Sequence, residues 1–309
     1  SDLRRLGFGR VCAVRDIGTE RGSKRFKYET THGDAFAKID TSARDDAAYA
    51  AEALSLRTLG AASLVAGRLR VPTPLAHGDL PLGGAYLLLE WVDQGSSDPP
   101  EPSVTVALGE GLAALHTAPQ PPGFGRGFVF GADTYLRGHL RQANGWMGSH
   151  ADFFVERRLR PMLERAAAML GGPLGALDTS RAPSLRSLAD PAIESAHRLL
   201  DAGSALCAPA LLHGQLSAKR CMVDAAGSPV LRTPACWYGD PEFDLALGEI
   251  DGGFAPEFTE AYRAVRPRQP GHAERKALYE LYHRLARLGP AGEGYERVCE
   301  LLRQVAACA

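Results

Sequence analysis

Apolar and polar positions change rhythm along the chain. Over residues 27–39 short alternating runs (Phe26 and Tyr28, then Phe36 and Ala37) flank Thr31-His32-Gly33-Asp34. Alternation on both sides of a turn sequence predicts a β-hairpin. Residues 45–59 are rich in Ala and Leu at helical spacing and meet Gly60, which predicts a helix that stops there. Val71-Pro72-Thr73-Pro74 is held extended by its prolines. The apolar run 85–92 follows Gly83-Gly84 and reads as a buried strand. Residues 94–102, rich in Gly, Ser and Pro, mark a linker. Beyond it, helical spacing predicts helices over 104–116, 151–170, 191–202, 254–265 and 273–288, with short apolar segments between polar loops over 210–230. Pro119, Pro121 and Pro122 mark an irregular loop, as does Gly171-Gly172-Pro173. The expected architecture is a two-lobed α+β protein. Its small β-rich lobe with one main helix spans residues 1–92, a larger, mainly helical lobe spans 93–309, and together they make one domain.

Composition narrows the function classes. The chain has 309 residues, 45% hydrophobic and 23% charged, which supports a sizeable core and argues against disordered or fibrous classes. A formal net charge of -1 supplies no global basic field for nucleic acid. No apolar run approaches the ~20 residues of a membrane span. No secretory leader begins at Ser1, which is also what a removed targeting peptide would leave. The six cysteines (Cys12, Cys207, Cys221, Cys236, Cys299 and Cys308) form no CxxC pair, so they read as buried thiols in a reducing compartment. The nine histidines form neither HxxxH nor HExxH, and no serine sits in GxSxG. Asp240, Glu242, Asp244, Glu249 and Asp251 make an acidic stretch, read as a solvated helix start rather than a metal site. The basic groups Arg157-Arg158, Arg160 and Arg263, Arg266, Arg268 read as exposed helix surface.

A series of segments carries a more specific signal. It comprises Arg70-Val71-Pro72-Thr73-Pro74, Leu80-Pro81-Leu82-Gly83-Gly84-Ala85-Tyr86 running on to Glu90, Leu211-Leu212-His213-Gly214, Pro234-Ala235-Cys236-Trp237-Tyr238-Gly239, Glu242-Phe243-Asp244-Leu245-Ala246, and Leu278-Tyr279-Glu280-Leu281-Tyr282-His283. In order and spacing, from about residue 18 onward, the chain resembles the fructosamine kinase (ketosamine-3-kinase) family. That resemblance implies a protein-kinase-like fold with a nucleotide cleft between the lobes near Glu90. It also implies that Lys38, in Phe36-Ala37-Lys38, reaches the phosphates and that Glu52 is its helix partner.

Measured against the resemblance, several positions depart. The phosphate loop, a glycine run in similar proteins, reads Gly18-Thr19-Glu20-Arg21-Gly22-Ser23-Lys24-Arg25. The family's H-G-D-L-W-S-G-N reads His213-Gly214-Gln215-Leu216-Ser217-Ala218-Lys219-Arg220. Gln215 therefore stands where the proton-accepting aspartate is implied, and an amide has no useful basicity near neutral pH. Arg220 and Thr233 stand at the two implied metal-ligand positions, and a guanidinium has no acceptor atom. On the sugar side, Met147-Gly148-Ser149-His150 and Ala286-Arg287 replace polar groups. His213 and Asp244 are expected to hold the framework rather than do chemistry.

These departures lead to the expectation of a catalytically inactive pseudokinase, a structural or regulatory subunit of a larger protein assembly. Protein subunits are its expected partners, nucleotide binding is expected to be weak or absent, and no cofactor or metal is expected. By analogy with plant-like members the expected location is an organelle such as a plastid. Two other readings stay open. One is an enzyme of changed chemistry using Lys38, Gln215 and Arg220. The other is a metal-independent nucleotide or sugar-phosphate binder using Lys38, Arg21 and Arg220.

Overall fold

The computed structural model describes residues 2–20, 22–67, 69–95, 101–120, 129–171, 180–203, 208–250 and 252–308. A short helix α1 (Asp2–Arg5) leads into β1 (Val11–Glu20), β2 (Ser23–Thr30), β3 (Gly33–Asp40), helix α2 (Ala47–Ala66), β4 (Pro74–Asp79) and β5 (Ala85–Glu90). The five strands form one antiparallel sheet in the order β1-β2-β3-β5-β4.

Strand alternation on β3 decides where Lys38 points, because successive side chains take opposite faces. Ala35 and Ala37 face a small cluster with Leu3 and Leu88, bordered by Phe8, Phe26, Tyr28 and Tyr86. Phe36 faces the other way, toward Ala53 and Leu56 of α2 and toward Leu87 and Leu89. Lys38 shares the Phe36 face, which directs its ammonium at the same helix.

The expected hairpin and the strand after Gly83-Gly84 are present. The helix expected to stop at Gly60 runs on instead to Gly67, whose φ of 73° and N–H to Ser63 O at 2.7 Å close it. Interior Gly60 costs only about 1 kcal/mol, and Ala62 beyond it packs on the core. β1 was unexpected as a strand because it is an edge with almost every side chain exposed, so no alternation marks it. The segment expected to be a solvated phosphate loop takes part in the β1–β2 pairing, which has a register irregularity between Asp16 and Gly18 and pairs Glu20 with Ser23.

The rest of the chain is mostly helical: α3 (Pro102–Thr117), a small ladder of β6 (Thr134–Leu136) and β7 (Leu140–Gln142), α4 (His150–Phe154), a π-helical turn (Val155–Leu159), α5 (Arg160–Leu170) and α6 (Arg181–Gly203). Then come β8 (Ala210–Leu212), a 3-10 turn (Ala218–Arg220), β9 (Cys221–Val223), β10 (Pro229–Leu231), β11 (Trp237–Gly239) and helices α7 (Glu242–Ile250), α8 (Pro256–Val265), α9 (His272–Leu285) and α10 (Tyr295–Ala306). β9 pairs with β10 and β8 with β11, both antiparallel.

The helix expected over 151–170 contains the π turn, which rotates Arg158 inward. Arg158 is buried, donates from Nη1 to Ala143 O at 2.8 Å, and lies 4.6 Å over the Trp237 ring. It is therefore not part of an exposed basic face. α6 begins ten residues before Pro191 and carries that proline inside it. α10 went unread, although Val298, Cys299, Leu301, Leu302 and Val305 bury at helical spacing. Arg21, residues 96–100 of the expected linker, Pro121, Pro122, Gly172, Pro173, Cys207 and Asp251 lie outside the described residues.

The larger core is mostly Leu and Ala and holds an aromatic cluster in which the fully buried Phe243 meets the rings of Phe154, Trp237, Tyr279 and Tyr282. Phe243→Ala is expected to lower the unfolding free energy by about 3–5 kcal/mol in urea titrations. A loss under ~1 kcal/mol would mean that the cluster collapses into the space without cost.

Candidate functional site

Lys38 and Glu52 meet as the strand and helix geometry dictates, with Lys38 Nζ donating to Glu52 Oε1 at 2.5 Å. Lys38 Nζ also donates to Thr233 Oγ1 at 3.3 Å, so the pair reaches across from the sheet to the helical region. Burial lowers the Lys38 pKa; Glu52 opposes that shift, while Arg220 and Arg25 add to it.

The loop 213–220 rests on one buried carboxylate. Asp244 accepts from the His213 N–H at 2.6 Å and the Gly214 N–H at 2.8 Å. Burial alone would raise its pKa, but hydrogen bonds from His116 and the loop backbone outweigh it and leave the carboxyl below its ordinary value. Gly214 has φ 76°, and a Cβ there would lie 1.9 Å from Ala235 O, so only glycine fits. His213 Nδ1 accepts from the Gln215 N–H at 3.2 Å, which places the ring proton on Nε2, donating to Arg232 O at 3.0 Å. Both residues thus hold the framework.

Gln215 is buried and bridges two strained residues. Its Oε1 accepts from the Arg137 N–H at 2.8 Å and its Nε2 donates to Thr233 O at 3.3 Å. Arg137 (φ 58°) and Thr233 (φ 56°) are the two non-glycine residues at positive φ among the described residues. An aspartate could not donate to Thr233 O. The Thr233 carbonyl also accepts from Arg220 Nη1 at 3.5 Å, so the three replaced positions form one connected unit.

Above this unit lies a cavity of about 260 Å³ between the five-stranded sheet and the β9–β10 hairpin with its preceding 3-10 turn. Ile17, Phe36, Leu89, Trp91 and Met222 give it an apolar part. Its charged lining is Arg25, Lys38, Lys219, Arg220 and Arg232 against Glu20 and Glu90. Glu20 pairs with Arg25, and Glu90 with Arg70 at 3.5 Å, Arg70 being anchored on Asp224 at 2.9 Å. A second cavity, about 520 Å³, opens beside it on Tyr49, Tyr135, His139 and Asp40. A small recess beyond joins Gln215 and Arg220 to His283, Ala286 and Arg287.

A magnesium ion does not fit this donor set. Arg220 offers a fixed cation, and Thr233 Oγ1 is engaged by Lys38. Among the described residues no three His, Cys, Asp or Glu side chains gather to hold an ion. The acidic stretch is committed elsewhere: Glu242 takes Arg275 at 2.8 and 2.9 Å, Asp240 takes the Tyr279 hydroxyl at 2.7 Å, and Glu249 pairs with Lys276. On the sugar side, Ser149 caps α4 by accepting from the Asp152 N–H at 3.2 Å, and His150 is buried behind it.

The structure therefore brings together Lys38, Glu52, Glu90, Arg220 and Thr233 at one cleft and sets Gln215 beneath it. Sequence reasoning missed Arg232, whose place beside Thr233 was a readable signal. It also missed Tyr135, Arg137 and His139, for which no pattern in the chain spoke.

A five-stranded sheet over a helical region, with a lysine–glutamate pair at the cleft between them, defines a protein-kinase-like fold. The chain belongs to the fructosamine kinase family, whose model matches residues 11–306. It is 35% identical to a probable ketoamine kinase of Synechocystis, over 83% of this chain and 78% of that protein. It is 31% identical to an Arabidopsis thaliana protein named protein-ribulosamine 3-kinase, chloroplastic (93% and 81%), and 30% identical to the mouse ketosamine-3-kinase (94% and 94%). In fold it matches a solved Haemophilus somnus structure bearing the fructosamine-3-kinase name at TM-score 0.78 (21% identity, 98% and 95% covered). It also matches aminoglycoside phosphotransferase APH(4)-Ia at TM-score 0.59 (16% identity, 98% and 96% covered).

These relatives correct the expectation of a catalytically inactive pseudokinase acting as a structural or regulatory subunit of a larger assembly. At 30 to 35% identity across most of the chain they are named as kinases, and the family is one of enzymes. The physical reason is that phosphoryl transfer draws mainly on positioning and charge stabilisation, and the fold keeps Lys38 on Glu52 while gathering Arg25, Arg220 and Arg232 at the same cleft.

Two measurements test the loop. Gln215→Ala should lower the unfolding free energy by about 1–3 kcal/mol by stranding the Arg137 N–H and removing one of the two donors to the Thr233 carbonyl. Gln215→Asp should cost more, because it places a carboxylate against that carbonyl; urea midpoints equal to the parent for both would refute the bridge. Stability should also fall with acid. Burial pushes His213 and His150 down to about 4. Their folded pKa values lie below the unfolded ones, so protons bind the unfolded chain first. Stability is complete above pH ~6.5 and drops between there and ~4, by at most about 1.4 kcal/mol per pH unit for each ring. Urea titrations at pH 7.5, 6 and 5 with no change in stability would contradict this.

Proposed function

We propose that this protein is a phosphotransferase of the ketoamine kinase class, carrying phosphate from a nucleoside triphosphate to a sugar hydroxyl of a ketoamine. The observation that carries the reading is the cleft itself, where Lys38, Arg25, Arg220 and Arg232 converge beside an apolar recess. The names of the relatives add to it. On this reading Lys38, fixed by Glu52, and the arginines hold the donor phosphates, and Glu90 stands at the apolar end. The division at residues 92 and 93 is the line between the lobes. The adjoining cavity of about 520 Å³ takes the acceptor.

In the reaction the bond from the γ-phosphorus to the bridging oxygen breaks, and a bond to the acceptor hydroxyl oxygen forms. The hydroxyl proton leaves to solvent or to the transferred group, because Gln215 cannot accept it. A positioned base contributes about 10²–10⁴-fold, so turnover should be slower by that order than in a site with a carboxylate there. An organelle location, supported by the chloroplastic names of the plant relatives, belongs to the same proposal.

The test is transfer of radiolabelled phosphate from ATP to fructosyl-lysine and ribulosyl-lysine peptides, with Lys38→Ala as control. Slow incorporation, at least ~100-fold lower in the control, is the expected result. Incorporation no higher in the parent than in the control, on both peptides, would overturn the proposal.

A further inference from the structure

We propose that the cleft binds its phosphate donor as a metal-free polyanion, with the guanidinium groups of Arg220 and Arg232 supplying the positive charge that a divalent cation would bring. The inference rests on the reading of the cavity as a phosphate-donor site.

The donor set gives the first reason. Arg220 and Thr233 occupy the positions where ion ligands would be needed, and neither offers a free oxygen to a cation. Nor can the carboxylates of the lining be turned to that task. Glu20 is paired with Arg25, Glu90 with Arg70 and Glu52 with Lys38. A divalent cation entering here would meet a fixed positive charge at its own site. A free triphosphate would meet complementary charge instead.

Arg232 is a second, independent observation. Its Nη2 donates to Lys219 O at 3.2 Å, while its Nε is buried with no hydrogen-bond partner. A buried guanidinium N–H without an acceptor costs free energy, and the same side chain lines the cavity in which a phosphate would sit. Like-charge crowding gives the same direction. Burial first, and then Arg232, lowers the Arg25 pKa, and Arg220 and Arg25 both add to the lowering at Lys38. Cations held within range of one another in this way make a site whose repulsion a polyanion relieves. Guanidinium–phosphate contacts are charge-assisted and bidentate.

The measurement is ATP binding followed by the fluorescence of Trp91, which lines the cavity, with calorimetry alongside. One series contains EDTA, the other excess magnesium. Free ATP is expected to bind about 10-fold or more tightly than its magnesium complex, a difference of one charge-assisted contact or more. Tripolyphosphate should compete in EDTA, and adenosine binding should be indifferent to magnesium. Arg220→Asn and Arg232→Met should each weaken free ATP by about 10- to 100-fold, and Arg232→Lys should recover part of that loss. Unliganded melting temperatures identify any variant that fails to fold. Binding that is absent in EDTA and appears with magnesium would overturn the inference, as would wild-type affinity in both arginine variants. The two proposals fail separately. Metal-free binding without phosphate transfer removes the reaction and leaves this inference standing, whereas magnesium-dependent transfer does the reverse.

Discussion

The site depends on one buried carboxylate. Asp244 is fully enclosed and stays charged because His116 and two backbone N–H groups of the 213–214 turn point at it. A charge at that depth is tolerable only when its lone pairs are all engaged. The need to engage them fixes the turn. The turn in turn fixes His213, whose ring spans from the Gln215 N–H to the Arg232 carbonyl and so ties the loop to the β9–β10 hairpin end. Arg220 and Arg232 are carried on the two sides of that tie, and Arg232 N donates to Arg220 O at 2.9 Å. The placement of the cleft cations is therefore a consequence of how Asp244 is satisfied several residues away.

A parallel chain of constraint comes from the sheet. Ala35 and Ala37 must face the outer cluster, so Lys38 must face α2, where Glu52 stands next to Ala53 and one turn before Leu56. The two chains of constraint meet at Thr233, which accepts from Lys38 through its hydroxyl and from Gln215 and Arg220 through its carbonyl. Its left-handed backbone conformation costs energy in a β-branched residue. The three hydrogen bonds on it are what hold it there.

Much of the architecture was legible because it stems from local pattern. The β2–β3 hairpin, the buried strand β5 and helices α3, α8 and α9 announce themselves by alternation, by turn residues or by helical spacing. What escaped notice had physical reasons. β1 is an exposed edge whose pairing, not its side chains, makes it a strand. α2 passes Gly60 because tertiary packing of Ala62 outweighs a small propensity cost. Arg158 reads as surface charge until the π turn rotates it against Trp237. Within the site, Lys38, Glu52, Glu90, Arg220 and Thr233 could be placed through the motifs around them. Arg137 could not, because its part is played by a backbone N–H whose direction no residue identity encodes.

The replaced positions read differently alone and together. Taken one at a time, Gln215 is a base that cannot accept a proton, Arg220 a ligand with no lone pair, and Thr233 a weak substitute for a carboxylate. In the fold they share one atom, the Thr233 carbonyl, which needs donors. Glutamine and arginine supply them and aspartate would not. Residues in one hydrogen-bond network do not contribute independently. Their replacement therefore changes the charge that the cleft presents without dismantling the scaffold that presents it. Lys38, Glu52 and the apolar recess stay in register, because strand alternation on β3 sets the face of Lys38 and Asp244 holds the backbone of the 213–214 turn.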